Sequence, residues 1–448
     1  MTERFDTIII GAGNAGQGAA GVLVERGQRV AVVEDRDVGG TCPNRGCVPK
    51  KILVAASETL DLIRRARGHH IEVSEPRLDW AALIERKRGL IGGLPAAMSA
   101  SLEKRGIELI RGAAQFVDRD AIEVDGQRYG ADQFVIATGS TPRPLQMRGA
   151  SLLSSSAQFL EMEQPPRRAV FVGGGVIAFE FAHVLARVGT HVTILEMAPQ
   201  PLGRMDVDAV SRLVTFSKDV LGIDIRTGVT VEAIESTDHG LEVRFEDADG
   251  THTILADRAF HGSGRVPNVA QLQLDKAGAP LRDGRLHLDG LRSAQNPALW
   301  FAGDVLTTPQ LSPVATLEGR TVGRLIAGED VPMPSYRALP SALYTTPTLA
   351  SVGLTQAQAD REGRTLRITS TDMHQWLGAK SYVEDVAYGK ILIDDTTDRI
   401  VGAHLLGHGA SESIHVLALA MEHGIPASAL KSQLYAYPTF TNDLRFLL

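Results

Sequence analysis

One supersecondary unit occurs twice in this chain, and that repetition constrains the fold more than any other feature. FDTIIIGAGNAG is an apolar run of β-formers broken by Gly11-x-Gly13-x-x-Gly16, and RVAVVE follows, ending in Glu34. AVFVGGGVIAFE repeats the pattern with Gly173-x-Gly175-x-x-Ala178, followed by HVTILE ending in Glu196. First glycine and acid are 23 positions apart in both copies (11 to 34, 173 to 196). Gly13 to Gly27 and Gly175 to Gly189 are each 14 apart, so each intervening stretch reads as a helix closed by a glycine.

Strand, glycine turn, helix, strand and acid together form a frame for a dinucleotide. The first glycine permits a tight turn, the second lets a pyrophosphate approach the backbone, and the small third residue lets helix and strand pack closely. The helix start offers free N–H groups and partial positive charge. The acid accepts hydrogen bonds from a ribose diol. Two such frames on one chain imply one resident and one exchanging nucleotide. A chain of 448 residues also exceeds what one core supports.

The only two cysteines lie in GGTCPNRGCVPKK, directly after the first frame. VPKKILVAASETLDLIRRA reads as a helix, with Pro49 tolerated in its first turn. Cys47 then sits at the helix start, where the dipole favours a thiolate, with Cys42 one short loop away. A disulfide is within reach if that loop curls back. The alternatives are a metal site, which wants further ligands nearby, and two buried free thiols. The cysteines place the redox centre by the first frame, which suits a resident flavin there and a nicotinamide in the second. Glu196 opposes a 2′-phosphate, with Arg204 the only obvious residue to welcome one, so NADH is favoured over NADPH. Thr138-Gly139 in FVIATGSTPRP, Gly264 in HGSGRVPN, and Gly303-Asp304 in LWFAGDV extend the nucleotide frame.

GGTCPNRGCVPKK closely resembles the redox-active signature of the class I pyridine nucleotide-disulfide oxidoreductases, the glutathione reductase, dihydrolipoamide dehydrogenase and mercuric reductase group. The resemblance runs along essentially the whole chain, through both frames, ATG, GRVPN, AGDV and LPSALYTTPTLASVGLT. It implies an α/β fold: two Rossmann-like dinucleotide-binding domains, the NAD domain inserted in the FAD domain, plus a C-terminal α+β dimerisation domain. The limits expected are 1–145 and 266–330 for FAD, 146–265 for NAD(P), and 331–448 for dimerisation. By the same resemblance Cys47 is the thiol beside the flavin and Cys42 the interchange thiol. Lys50 and Glu180 form an ion pair near flavin and nicotinamide. Glu34 holds the FAD adenosine ribose and Asp304 the ribityl chain, with Gly40 and Thr41 also at the cofactor. The implied reaction relays two electrons from NAD(P)H through FAD and a Cys42–Cys47 disulfide to a small-molecule acceptor. A homodimer with shared active sites is implied too.

The tail departs from the family pattern. Disulfide reductases of this group carry His-Pro and, five residues after the histidine, a glutamate. Here LYAYPTFTNDLRFLL places Tyr437 and Asn442 at those positions, keeping Pro438 and Thr439. A tyrosine, with a pKa near 10 against about 6.5 for histidine, is a poor base at neutral pH. This motivates an alternative acceptor that is not a disulfide: a metal ion, a quinone or an electrophile. Val176, where many relatives carry tyrosine, suggests an open nicotinamide pocket. The sequence ends without the terminal cysteine pair of mercuric reductases, so a dedicated mercury enzyme is not expected. A redox sensor is the third reading. The net charge of -7 speaks against nucleic-acid or anionic-membrane partners. MTERFDTIIIGAG reads as a first strand, not a signal peptide, and a cysteine-poor chain suits the cytoplasm. EDVPMPSYRALP, 329–340, reads as a joint, and GKILIDDTTDRIVGAHLLG as a hairpin.

Overall fold

The computed structural model describes residues 3–448. The isoleucine-rich run at the start forms the strand Glu3–Ile10, buried along its second half. It pairs in parallel with Val30–Glu34 (Ile8 opposite Ala31) and with Gln127–Ile136 (Ile8 opposite Phe134). Parallel strands buried on both faces read as continuous apolar runs, as the segments 8–10, 30–33 and 134–136 do here. Glu108–Arg111 and Leu299–Phe301 extend the sheet in parallel on either side, and short antiparallel strands complete it to nine.

That sheet forms the core of a first compact unit, made of the described residues up to Lys50, 85–143 and 265–335. The helices Asn14–Glu25 and Ser312–Ile326 cross there on small residues. A Cβ added to Gly319 would lie 2.0 Å from the Ala15 carbonyl oxygen, and one at Gly323 would lie 3.0 Å from that of Ala19. Backbone in contact with backbone has no rotamer to relieve it. Gly319→Val is therefore expected to cost about 1–3 kcal/mol and lower the thermal midpoint by several degrees, with loss of bound flavin, checked by a melting curve and flavin absorbance.

The second unit comprises 51–84, 144–264 and 336–448. Its four-stranded parallel sheet runs Asp224–Thr227, His191–Glu196, Arg168–Val172, Arg258–His261, with the helix Val176–Arg187 between the middle pair in sequence. A three-stranded antiparallel meander, Thr230–Ala256, follows. The C-terminal part is a five-stranded antiparallel sheet backed by the helix Ala410–Glu422. The hairpin read from the sequence is present there, Tyr388–Asp394 against Arg399–Gly407. One apolar cluster runs from Leu53 through Phe171 and Phe179 to Leu343 and Leu406, which is why these segments pack as one unit. At the edge of that cluster Lys390, 1% exposed, donates to Asp206 at 3.0 Å and Asp208 at 2.7 Å, so its buried charge is paired.

Candidate active site

The two glycine frames fold alike, down to individual hydrogen bonds. In the first, Glu34 accepts from the Ala12 N–H at 2.8 Å and the Arg36 N–H at 3.0 Å. In the second, Glu196 accepts from the Gly174 N–H at 2.5 Å and the Ala198 N–H at 2.7 Å. Each acid thus bridges the middle of its own Gly-x-Gly to the residue two beyond itself, which fixes the carboxylate beside the turn. Gly16 packs instead of lining the site: a Cβ there would meet the Gly11 oxygen at 1.9 Å. Gly173, Gly175 and Ala178 make the equivalent turn and helix start in the second unit, where Val176 is 44% exposed at the first helical position. Arg204 is exposed.

The redox stretch does not curl as a plain loop. Thr41–Arg45 forms a short helix, Gly46 breaks it, and the helix Cys47–Arg65 starts at once. A side chain at Gly46 would meet the Thr41 carbonyl oxygen at 2.9 Å, so glycine is what lets the second helix begin folded back on the first. Asn44 ties the turn down, donating to the Val38 and Gly40 carbonyls at 3.1 Å each. The result brings the two sulfurs together as free thiols, Cys42 half-buried and Cys47 exposed. A hydrogen bond from Cys47, others from Ser312 and Asn14, and the charge of Lys50 pull the Cys42 thiol down to about 6. The same bond to Cys42 pushes Cys47 up. Helix position favours a thiolate on Cys47, and the side-chain donors favour one on Cys42.

An open cavity of the first unit, about 1350 Å³ of empty space with its mouth, is lined by Gly11, Gly13, Glu34, Gly40, Thr41, Cys42, Cys47, Thr138, Gly139, Gly303 and Asp304. Eleven residues singled out in the sequence thus share one wall. Glu34 is buried, and burial pushes its carboxyl above the usual range, opposed by its two N–H donors. Burial also raises Asp304, opposed by Arg265 and by the Ser140 hydroxyl at 3.4 Å. The Thr138 hydroxyl is buried with no hydrogen-bond partner. Glu34 with acceptor capacity left beyond its two N–H donors, Asp304 with one long hydroxyl contact and one orphan hydroxyl, on a floor of glycine backbone, suit a ligand rich in sugar hydroxyls and phosphate. The residues therefore fit FAD.

Other expected residues lie elsewhere. Gly264, with φ +90, directly precedes the strand Arg265–Pro267, which pairs with Ser140–Pro142 and so joins GRVPN to the ATGS turn. Lys50 stands in the first turn after Cys47. Glu180 is buried on Val176–Arg187 and accepts from the Tyr344 N–H at 2.9 Å. Tyr437 is 73% exposed in the second unit. Residue spacing does not reveal Asn14 and Ser312. Their signal is present but weak: each occupies the first turn of a helix whose start faces the cavity. Among the described residues, no group of three or more His, Cys, Asp or Glu forms a metal site, and no helix is long and apolar enough to cross a membrane.

Twin nucleotide frames, one opening on a cysteine pair, define a flavin- and nicotinamide-dependent oxidoreductase. The chain belongs to the pyridine nucleotide-disulphide oxidoreductase family: residues 5–319 match that family's model and residues 339–446 match its dimerisation domain. It is 31% identical to a mercuric reductase of Staphylococcus aureus over 98% of this chain and 81% of the relative. To a glutathione reductase of Burkholderia cepacia it is likewise 31% identical, over 98% and 97%. Among solved structures it is similar to the Cu(II) complex of the HOCl-induced flavoprotein disulfide reductase RclA from Escherichia coli, with a TM-score of 0.88 and 27% identity over 100% of this chain and 99% of that one. Enzymes of this family use FAD and NAD(P)H, and this chain is an enzyme of that kind.

Proposed function

We propose that the chain is an FAD-dependent NAD(P)H oxidoreductase that passes electrons through a Cys42–Cys47 disulfide to a small disulfide or another thiol-reactive acceptor. The single observation behind this is the pair of hydrogen-bonded thiols in the wall of the cavity that carries Glu34 and Asp304. Bound FAD supplies the two-electron chemistry between hydride donor and disulfide. The chain's own residues do the rest. Glu34 and Asp304 hold the cofactor's two sugar portions, Cys47 stands toward the flavin, and Cys42 exchanges with the acceptor. Lys50 serves the flavin and Glu180 the nicotinamide. Glu196, already committed to two N–H donors, leaves no room for a 2′-phosphate and favours NADH. For a disulfide acceptor the balance is NADH + H⁺ + RSSR giving NAD⁺ + 2 RSH.

The fold regions are read as 1–145 with 266–330 for FAD, 146–265 for NAD(P) and 331–448 for dimerisation. In the dimer, the exposed Tyr437 tail of one protomer serves the site of its partner, and the enzyme works in the cytoplasm. A second reading replaces the disulfide by a metal ion, quinone or electrophile. It is favoured by Tyr437 and Asn442, and RclA, whose solved complex contains Cu(II), makes that ion the first metal to try.

Anaerobic titration tests the proposal. About two electrons per flavin from NADH should raise a long-wavelength thiolate–flavin absorption band that is lost in Cys47→Ser. A parent enzyme that reduces its flavin with no such band sinks it. An acceptor screen with glutathione disulfide, lipoamide, other disulfides, quinones and Cu(II), each with NADH and NADPH, separates the two readings.

A further inference from the structure

We propose that Asn14 and Ser312 are positioning residues that hold the Cys42 sulfur as a thiolate, so that this sulfur needs no titrating base beside it. The inference rests on Cys42 being the interchange thiol, as proposed above. Its basis is the crossing of two long helices. Asn14 opens the 12-residue helix Asn14–Glu25 and Ser312 opens the 15-residue helix Ser312–Ile326. Gly319 and Gly323 let the two run in backbone contact, so their starts lie side by side. The Asn14 amide donates to the Ser312 hydroxyl, which locks both side chains toward the same point. Both line the cavity with the cysteine pair, and both hydrogen-bond Cys42.

The donors are neutral and do not titrate in the working range, so the support they give does not fade with pH. The charged and titrating groups around the sulfur are few. Cys47 and Lys50 face it from the helix Cys47–Arg65. Arg45, on the same short helix as Cys42, is paired with Asp37 at 2.8 Å. Glu318 of the crossing helix is turned to the Gly303 N–H at 2.7 Å, and the first turn of Asn14–Glu25 carries no acid. A hydrogen bond to the charged form of an acceptor favours that form, so each donor is expected to lower the Cys42 midpoint by about one unit. A thiolate held this way attacks without first giving up a proton. The matching acceptors are those whose leaving group departs as an anion unaided or that take electrons with no leaving group.

The test is the pH dependence of Cys42 alkylation by iodoacetamide in the reduced holoenzyme, read by peptide mass mapping. The parent midpoint is expected near 6. Ser312→Ala and Asn14→Ala should each raise it by about one unit. Ser312→Thr keeps the hydroxyl and should restore the parent value, whereas a donor with a merely structural role would not show this split. Asn14→Asp keeps the shape, replaces donor by negative charge and should raise the midpoint further. Flavin content separates loss of the cavity from loss of the donors. Parent-like midpoints in Asn14→Asp and in whichever alanine variant keeps its flavin overturn the inference. If the midpoints move but Cys42→Ser keeps acceptor turnover, the donors stand and the interchange role of Cys42 falls. If the midpoints stay put while Cys42→Ser loses turnover, Cys42 remains the interchange thiol and the donors fall.

Discussion

Cys42→Ser is expected to cut acceptor reduction roughly 10³-fold or more while NADH still reduces the bound flavin at close to the parent rate. The two half-reactions use different parts of the chain. The second frame, proposed to hold the nicotinamide, has its Glu196 and glycine turn in a different unit from the cysteines. Acceptor reduction needs a thiolate, and a serine hydroxyl supplies none at neutral pH. The same variant carries a second expected result, of defined sign. In the parent, the hydrogen bond and charge of Cys42 push the Cys47 thiol up. Removing them leaves Lys50 as the nearby charge, which favours the Cys47 thiolate, so Cys47 should ionise at lower pH than in the parent. A pH titration of the reduced variant, followed by the long-wavelength band, reads this directly. Unchanged turnover in Cys42→Ser takes the electron path away from the pair.

The parts of the site that announce themselves in the sequence are those with a backbone reason. Gly16 packs against the Gly11 backbone, and Glu34 and Glu196 each answer two N–H groups fixed by the turn. Such constraints leave a fixed spacing, so repetition exposes them. Thr138-Gly139 and Asp304 come at strand ends and are legible as strand-to-turn transitions. What spacing does not disclose depends on where distant segments meet. Asn14 and Ser312 are 298 positions apart, and only the Gly319 crossing makes them neighbours. The charge distribution within the cysteine pair is hidden for the same reason. A helix start can be read from sequence and points to Cys47, but donors arriving from another helix cannot, and they favour a charge on Cys42. The short helix Thr41–Arg45 reads as a loop because five residues give too weak a periodic signal.

The double substitution Tyr437→His with Asn442→Glu is expected to raise disulfide turnover by about 10²-fold at neutral pH, the low end of what general acid–base help contributes. Histidine titrates near neutrality and tyrosine does not. The local structure says the two changes must be made together. Tyr437 is 73% exposed, so its replacement disturbs no packing in its own unit. Asn442 is 3% exposed, and its backbone N–H donates to the Thr439 hydroxyl at 3.1 Å, capping the short helix Phe440–Asp443. A glutamate there completes a Thr-x-x-Glu capping box, but it also buries a carboxylate that needs a cation. Asn442→Glu alone should therefore lower the thermal midpoint, Tyr437→His alone should gain only part of the rate, and the pair should exceed the sum of the two. Steady-state rates for all four proteins with one disulfide and one metal acceptor, alongside melting curves, complete the cycle. A strong rise for the disulfide with a fall for the metal means the tail is adapted to an acceptor that needs no proton. A well-folded double variant with parent rates on both removes Tyr437 from the site, and the thiolate held by Asn14 and Ser312 is then left to work without the tail.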